Sequence, residues 1–284
     1  MTYRFLVITL QGIQSILANA VMSDGAKRSM VDRKKLVIAT RLHLGNALSP
    51  PTPKNLKNLL RKFEALASSV DNAFPVVAVD ATPRMEGYDY VQAVRDNLQE
   101  SSNVHVLPVT PWGKFVPALN AVILHSNVID ADLVLFVSAE VSVSPESIHA
   151  LCLSVVEDQQ TLVAGAAMNG HLYSADTEVE LNGRTCPWNT LAVWDVRKLA
   201  LTGFSLCSDI GDSAGVEECA AIALYQKLFP DTKAKLVQLA DISWEESFDD
   251  DERRSWHERK MNSKVERAMQ QLQALNLAGK VLHC

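Results

Sequence analysis

The side chains best suited to chemistry in this 284-residue chain stand just after short apolar runs, and several are carboxylates. Thr40-Arg41 closes Leu36-Val37-Ile38-Ala39. Asp80 ends Pro75-Val76-Val77-Ala78-Val79 and leads into Ala81-Thr82-Pro83-Arg84, and Ser138-Ala139-Glu140-Val141-Ser142 follows Leu133 to Val137. An ionised carboxylate behind a buried run is costly unless it reaches a rim, a partner or a cation, so Asp80 and Glu140 are candidates for holding a ligand or metal. A further acidic pair, Glu217-Glu218, opens a helical pattern. Its chemical reading is a general base; its plainer reading is an acidic first turn favoured by the helix dipole. Trp188, between Pro187 and Asn189, is a candidate aromatic wall for a ligand, whereas Trp194 is assigned to the core. Arg84 and Lys114 are candidate phosphate contacts or ordinary surface charges.

These residues need a scaffold, and from about residue 35 the chain alternates apolar β-branched runs with helical patterns, the signature of helices over a mainly parallel sheet. Strands are predicted at 36–39, 75–80, 104–107, 133–137 and 161–167. Helices are predicted after the Pro50-Pro51-Thr52-Pro53 stop and over about 88–98, 116–125 and 146–157. In such sheets ligands bind outside the carboxyl ends of the strands, where the polar residues above fall. Residues 171–187 show no period and are read as a long irregular connection. A strand-like run at 191–194, a helix near 216–228 and a strand at 234–239 follow. An amphipathic helix is then predicted over about 250–278, with Met261, Val265, Met269, Leu272 and Leu275 on its apolar face.

With 27 Lys+Arg against 33 Asp+Glu, the net charge is -6, so the chain lacks the basic surface that nucleic-acid binding needs. Any phosphate-bearing ligand must be held locally. At 48% hydrophobic and 21% charged residues, the composition excludes collagen-like and disordered classes. The five cysteines lack CxxC spacing, which argues against a disulfide framework and a zinc knuckle. No apolar run reaches the roughly 18 residues of a spanning helix. The expected location is the cytoplasm, with the secretory pathway as the alternative if residues 1–20 are a signal peptide ending near Ala18-Asn19-Ala20.

The order of these motifs resembles the inverting, nucleotide-sugar-dependent family 2 glycosyltransferases of the GT-A fold, over about residues 35 to 240. Val77-Ala78-Val79-Asp80-Ala81-Thr82 resembles the acidic motif that contacts the nucleotide base. Gly113, Ala118, Asn120 and Ala121 resemble the helix before the metal strand. Ser138-Ala139-Glu140 sits where the family has Asp-x-Asp, and Gly215-Val216-Glu217-Glu218 resembles the Glu-Asp pair whose second acid is the base. The resemblance implies a single GT-A-like, Rossmann-like α/β domain over 1–284. Its parts would be a nucleotide-sugar-binding half at 35–145, an acceptor-side half at 146–240 and a C-terminal helical extension at 241–284. It further implies Glu218 or Glu217 as base, and donor contacts from Thr40, Asp80, Arg84, Lys114 and Ser138. Trp188 and Asn189 would face a carbohydrate or other hydroxyl acceptor. Mn²⁺ or Mg²⁺ would sit at Glu140, completed by a late histidine, His257 or His171. Ser138 departs from the motif by removing its first acid, which motivates an alternative: a catalytically inactive GT-A-like domain binding a nucleotide or carbohydrate. A nucleotidyltransferase ranks below both, because Ala39-Thr40-Arg41-Leu42-His43-Leu44-Gly45 lacks a Gly-rich phosphate loop, and a dinucleotide dehydrogenase lacks its GxGxxG.

Overall fold

The computed structural model describes residues 24–45, 49–211, 214–244 and 263–284, so the signal-like stretch at 1–20 and His257 lie outside the described residues. The strands are β1 (Leu36–Leu42), β2 (Ala73–Asp80), β3 (His105–Val109), β4 (Leu133–Val137), β5 (Val141–Val143), β6 (Thr161–Ala166), β7 (Thr177–Glu180), β8 (Leu191–Asp195), β9 (Lys233–Val237), β10 (Ile242–Trp244) and β11 (Lys280–His283). The helices, in chain order, are α1 (Asp24–Asp32), α2 (Pro53–Ser68), α3 (Tyr90–Asn97), α4 (Val116–Val128), α5 (Pro145–Val156), α6 (Val196–Thr202), α7 (Glu217–Leu228) and α8 (Lys264–Ala274). Their starts follow local chemistry. Thr52, Asp89, Ser144 and Asp195 each accept a backbone N–H of the first turn of α2, α3, α5 and α6, and proline stands in the first turn of α2 and α5.

Among the described residues nine strands form one sheet in the order β3-β2-β1-β4-β8-β6-β9-β11-β7, with β5 and β10 pairing separately. The sheet is mainly parallel; β8 runs antiparallel to both neighbours and β7 antiparallel to β11. Side-chain alternation divides the core between the two faces. Val37, Ala39, Val134 and Phe136 pack with α4, α6, α7 and α8, while Ile38, Val77, Leu133 and Leu135 pack with α2, α3 and α5. The expected α/β class with a mainly parallel sheet between helices is what the chain forms. Among the described residues no helix is long and apolar enough to cross a membrane.

Three expectations need correction. The 171–187 connection is not wholly irregular, because it contains β7, whose short polar run pairs with β11 at the end of the described sheet. The C-terminal part is not purely helical, since β11 lies in the sheet between β9 and β7. The described helix there is α8, and its inward face differs from the apolar stripe: Lys264, Ala268, Gln271 and Leu272 are buried, while Met269 is 51% exposed. The polar members of that face have polar company, as Gln271 shows by accepting from Ser208 Oγ at 3.0 Å.

Candidate active site

Because β8 runs antiparallel to β4, with Val137 opposite Leu191, the segment entering β8 returns to the carboxyl end of β4. Ser138 N–H donates there to Thr190 O at 2.9 Å. Asn189 is thereby held beside the first turn of α7, and its N–H donates to Glu218 Oε1 at 2.7 Å. Glu217 and Glu218 are 3% and 7% exposed. Burial, and then the neighbouring charge of Glu217, push the Glu218 carboxyl up to about 7, against the opposing pull of Lys264 and the Asn189 N–H. A carboxyl that titrates near neutrality is suited to taking a proton in mid-reaction. From the end of β1, Arg41 Nη1 comes within 4.0 Å of Glu217 Oε1 and donates to Phe115 O at 3.5 Å.

A second set of cations arrives from α8. Lys264 is 9% exposed and places Nζ 3.3 Å from the centroid of the Trp188 ring. Burial lowers the pKa of the Arg267 guanidinium while Glu217 and Glu218 oppose the shift; Arg267 also donates to Ala214 O and, at 3.1 Å, to Ser263 Oγ. Trp188 stacks on His171 at 3.7 Å and donates through Nε1 to Gly183 O at 2.8 Å. At 2% exposure it is a core residue and offers no open face to a sugar, contrary to the sequence expectation. Asn189, expected on the acceptor side, is also buried, and its Oδ1 accepts from Trp194 Nε1 at 2.9 Å. It positions Glu218 through its backbone and the core through its side chain.

His171 is likewise occupied. Its Nδ1 accepts from Met168 N–H at 2.9 Å and Nε2 lies 2.9 Å from Cys186 O, a pairing that assigns the proton to Nε2. Burial is the largest influence on this ring and holds its pKa down at about 3, with the Lys264 charge acting the same way. Neither nitrogen is left for a metal.

On the β2 side, Asp80 is 2% exposed; it accepts from Thr82 N–H at 3.0 Å and from Arg84 Nε at 2.7 Å. Arg84 therefore completes Asp80 and also donates to Gly45 O at 3.4 Å, rather than standing ready for a diphosphate. Thr40 is buried with its hydroxyl sealed from solvent, so the expected donor contact is not presented there. Lys114 is exposed, and its Nζ donates to Gly211 O at 2.8 Å.

Ser138 and Glu140 project beyond β4, where Ser138 Oγ donates to Glu140 Oε2 at 2.8 Å and Glu140 is exposed. Among the described residues no three or more His, Cys, Asp or Glu come together as a metal cluster. One exposed carboxylate does not make a protein cage. It does fit a hard divalent ion that takes its other positions from phosphate oxygens and water. A cavity of about 320 Å³ adjoins this segment, bounded by Ser138, Ala139 and Ser142 and by Lys62 and Phe63 of α2. A larger cleft, about 910 Å³, lies between α7, α8 and the β7–β11 edge, and none of the candidate site residues lines it.

Arg41, Lys264, Arg267 and Asp209 carry roles that the sequence reading did not assign. Arg41 was visible as a cation at the end of β1. Lys264 and Arg267 are spaced i,i+3, which places them on one helix face, outside the apolar stripe read from the sequence. Asp209 lies in a 3-10 turn (Leu206–Asp209), and its carboxylate accepts the backbone N–H groups of Lys114, Phe115 and Val116 at 2.8, 2.9 and 3.1 Å. It serves α4, which has no side-chain cap of its own. Gly113, φ +65°, fits here because a Cβ would fall 2.5 Å from Asp209 Oδ2. Asn120 binds both the N–H and the C=O of Phe204, at 2.8 and 2.9 Å. The Gly113/Asn120 pattern thus builds the helix rather than touching a ligand.

No protein-family profile matches the chain, and no curated protein does. Solved structures of similar shape exist. One is glucosyl-3-phosphoglycerate synthase from Mycobacterium tuberculosis in complex with Mn²⁺, uridine-diphosphate-glucose and glycerol 3-phosphate, 11% identical, with 88% of this chain and 83% of that chain covered and a TM-score of 0.49. Another is a mannosyltransferase from Pyrobaculum calidifontis in complex with GDP-Man and Mn²⁺, 12% identical, with 68% and 53% covered and a TM-score of 0.46.

Proposed function

We propose that the chain is a GT-A-type glycosyltransferase that moves a sugar from a nucleotide diphosphate donor to an acceptor hydroxyl with inversion, Glu218 acting as base. The observation that carries this reading is the buried Glu218 carboxyl at the carboxyl edge of the sheet, held by the Asn189 N–H at 2.7 Å, beside a second acid that Arg41 approaches at 4.0 Å, and pushed up to about 7 by burial. The motif order supports it, since Asp80, Glu140 and Glu218 fall at three adjoining parts of one edge.

The chemistry divides among the residues as follows. Glu218 accepts the proton of the acceptor hydroxyl as that oxygen attacks the sugar carbon; Asn189 N–H fixes the carboxylate's orientation. Lys264 and the Asn189 N–H keep the ionised form accessible, which burial and Glu217 alone would suppress. Arg41 and Arg267 offset the charge of the acidic pair, and in this reading they replace Arg84 and Lys114 as the cations that would face a departing diphosphate. Arg84 shapes the base-binding end by fixing Asp80. Glu140, oriented by Ser138, would hold Mn²⁺ or Mg²⁺, which when bound neutralises charge on the departing diphosphate.

A second reading, a nucleotide- or carbohydrate-binding domain without transfer, rests on Ser138 and on the burial of Trp188 and Asn189. One experiment separates them. Thermal shift against nucleotide diphosphates with and without Mn²⁺ is followed by donor turnover in wild type and Glu218→Gln. Metal-dependent stabilisation by a nucleotide in both proteins, with turnover only in wild type, is the expected result. Stabilisation without turnover of any nucleotide sugar in wild type favours the binding domain, and no stabilisation by any nucleotide ends the donor-binding reading.

A further inference from the structure

Next to Glu218, and with no part in the reading above, two thiols meet inside the protein. Cys219 in the first turn of α7 and Cys186 in the segment entering β8 have their Sγ atoms 3.2 Å apart, with Cys219 donating to Cys186. They are 0% and 1% exposed. All five cysteines are free; Cys284 is exposed, Cys207 pairs with Ser205 Oγ at 2.9 Å, and Cys152 is buried on the opposite face of the sheet. We propose that Cys186 and Cys219 are an oxidation site, closing reversibly to an intrachain disulfide that ties the segment entering β8 to the start of α7.

Geometry carries the inference. A disulfide S–S bond is about 2.0 Å, so the two sulfurs need to close by only about 1.2 Å. In the closed fold both backbones are held in place. Pro187 packs so closely on β6 that a Cβ on Gly165 would fall 2.5 Å from it, and Cys186 O is held by the His171 ring. Cys219 is fixed by its helix and by the Glu218–Asn189 bond immediately beside it. Two thiols held at this spacing in one chain react with each other in preference to an external thiol once one is oxidised.

The oxidant is a small peroxide that enters during local opening. One sulfur, as thiolate, attacks a peroxide oxygen and breaks the O–O bond; with the thiol proton, the leaving oxygen departs as water and a sulfenic acid remains. The second sulfur attacks the sulfenic sulfur, giving up its own proton, and the S–O bond breaks to release a second water. Two thiols lose two electrons and two protons, and one hydrogen peroxide becomes two waters. A dithiol reductant reverses the bond by exchange. The mutual hydrogen bond, and then burial, raise the Cys219 thiol well above its ordinary value, so Cys219 reacts only once a local opening exposes it.

The test uses the full chain treated with hydrogen peroxide, followed by thiol titration under denaturing conditions and non-reducing peptide mapping. Loss of two of the five thiols, one cross-linked peptide joining Cys186 to Cys219, and full recovery with dithiothreitol are expected. Cys186→Ser and Cys219→Ser should each abolish the cross-link, while Cys152→Ser leaves it intact. Retention of all five thiols, a cross-link between any other pair, or separate higher oxidation of the two sulfurs without bond formation would overturn the proposal. Mapping of the wild-type chain decides the matter even if a serine variant fails to fold, and none of these readouts depends on glycosyl transfer.

Discussion

Two buried carboxylates at one edge of the sheet have opposite surroundings. Asp80 ends β2 with an arginine four residues later, so its charge meets Arg84 at 2.7 Å and a backbone N–H at 3.0 Å. Glu218, equally hidden, has another acid beside it, and its cations come from distant parts of the chain, with Lys264 forty-six positions on by the numbering. Burial alone therefore does not define the reactive group; the charge nearest to it does. One end of the edge is neutralised locally, and the other is left with a carboxyl near pH 7 whose state depends on how β1, α7, α8 and the start of β8 pack.

That contrast can be broken in order of effect. Glu218→Gln is expected to cut donor turnover by roughly 10²–10⁴-fold, with the nucleotide thermal shift retained; turnover within a few-fold of wild type would move the base to Glu217. The same group should be visible in stability against pH. Its folded pKa of about 7 lies above the ordinary value of 4.5, so the folded protein holds a proton that the unfolded chain releases. The Glu218 contribution to urea stability should then fall by roughly 3 kcal/mol as pH rises from about 4.5 to 7, and Glu218→Gln should remove that contribution, so that stability rises more steeply with pH in the variant than in wild type. His171 acts in the opposite sense. With a folded pKa of about 3 against 6.5, it lowers stability as pH falls below about 6.5, so the window must be fitted with His171→Gln as a second control.

Smaller effects test the other end and the frame. Arg84→Met leaves Asp80 buried without its ion partner and should cost about 2 kcal/mol in denaturant midpoint analysis, less than for a fully buried pair because the arginine is partly exposed. A loss as large as that from core truncation would contradict that discount. Asp209→Ala removes the acceptor of three N–H groups at the start of α4 and should cost about 1–2 kcal/mol, with amide exchange rising first at Phe115 and Val116. Lys264→Met should move the acidic limb of the pH–rate profile upward by about 1 unit, because one positive charge near Glu218 is lost. An unmoved limb would show that Lys264 supports Trp188 and leaves the carboxyl to Asn189.

Much of the scaffold was legible because its signals are local. Apolar β-branched runs marked β1, β2, β4 and β6, and the Pro50-Pro51-Thr52-Pro53 stop marked the start of α2. The acids Asp80, Glu140 and Glu218 were found because each follows or opens a strongly patterned element. Other assignments failed for reasons spacing cannot carry. Trp188 looks like a binding wall beside Pro187 and Asn189, but whether an indole is open or sealed depends on His171 and Lys264. β7 is a short, polar edge strand that exists only because β11 pairs with it. The inward face of α8 was misread because its neighbours there, Ser208, Trp188 and the acidic pair, are polar or aromatic rather than aliphatic.

By itself the sequence determined the α/β class, the placement of its polar residues after strands and the need to hold any phosphate locally, since hydrophobic period, turn residues and net charge are written along the chain. Only the tertiary structure decided which of those polar residues are occupied and which are poised. Arg84, a candidate phosphate contact by sequence, closes on Asp80, while Arg41 from β1 and Lys264 and Arg267 from α8 gather near Glu217 and Glu218. A charge's partners, and with them the Glu218 pKa and the 3.2 Å approach of Cys186 to Cys219, are set by distance through space, which sequence separation does not encode.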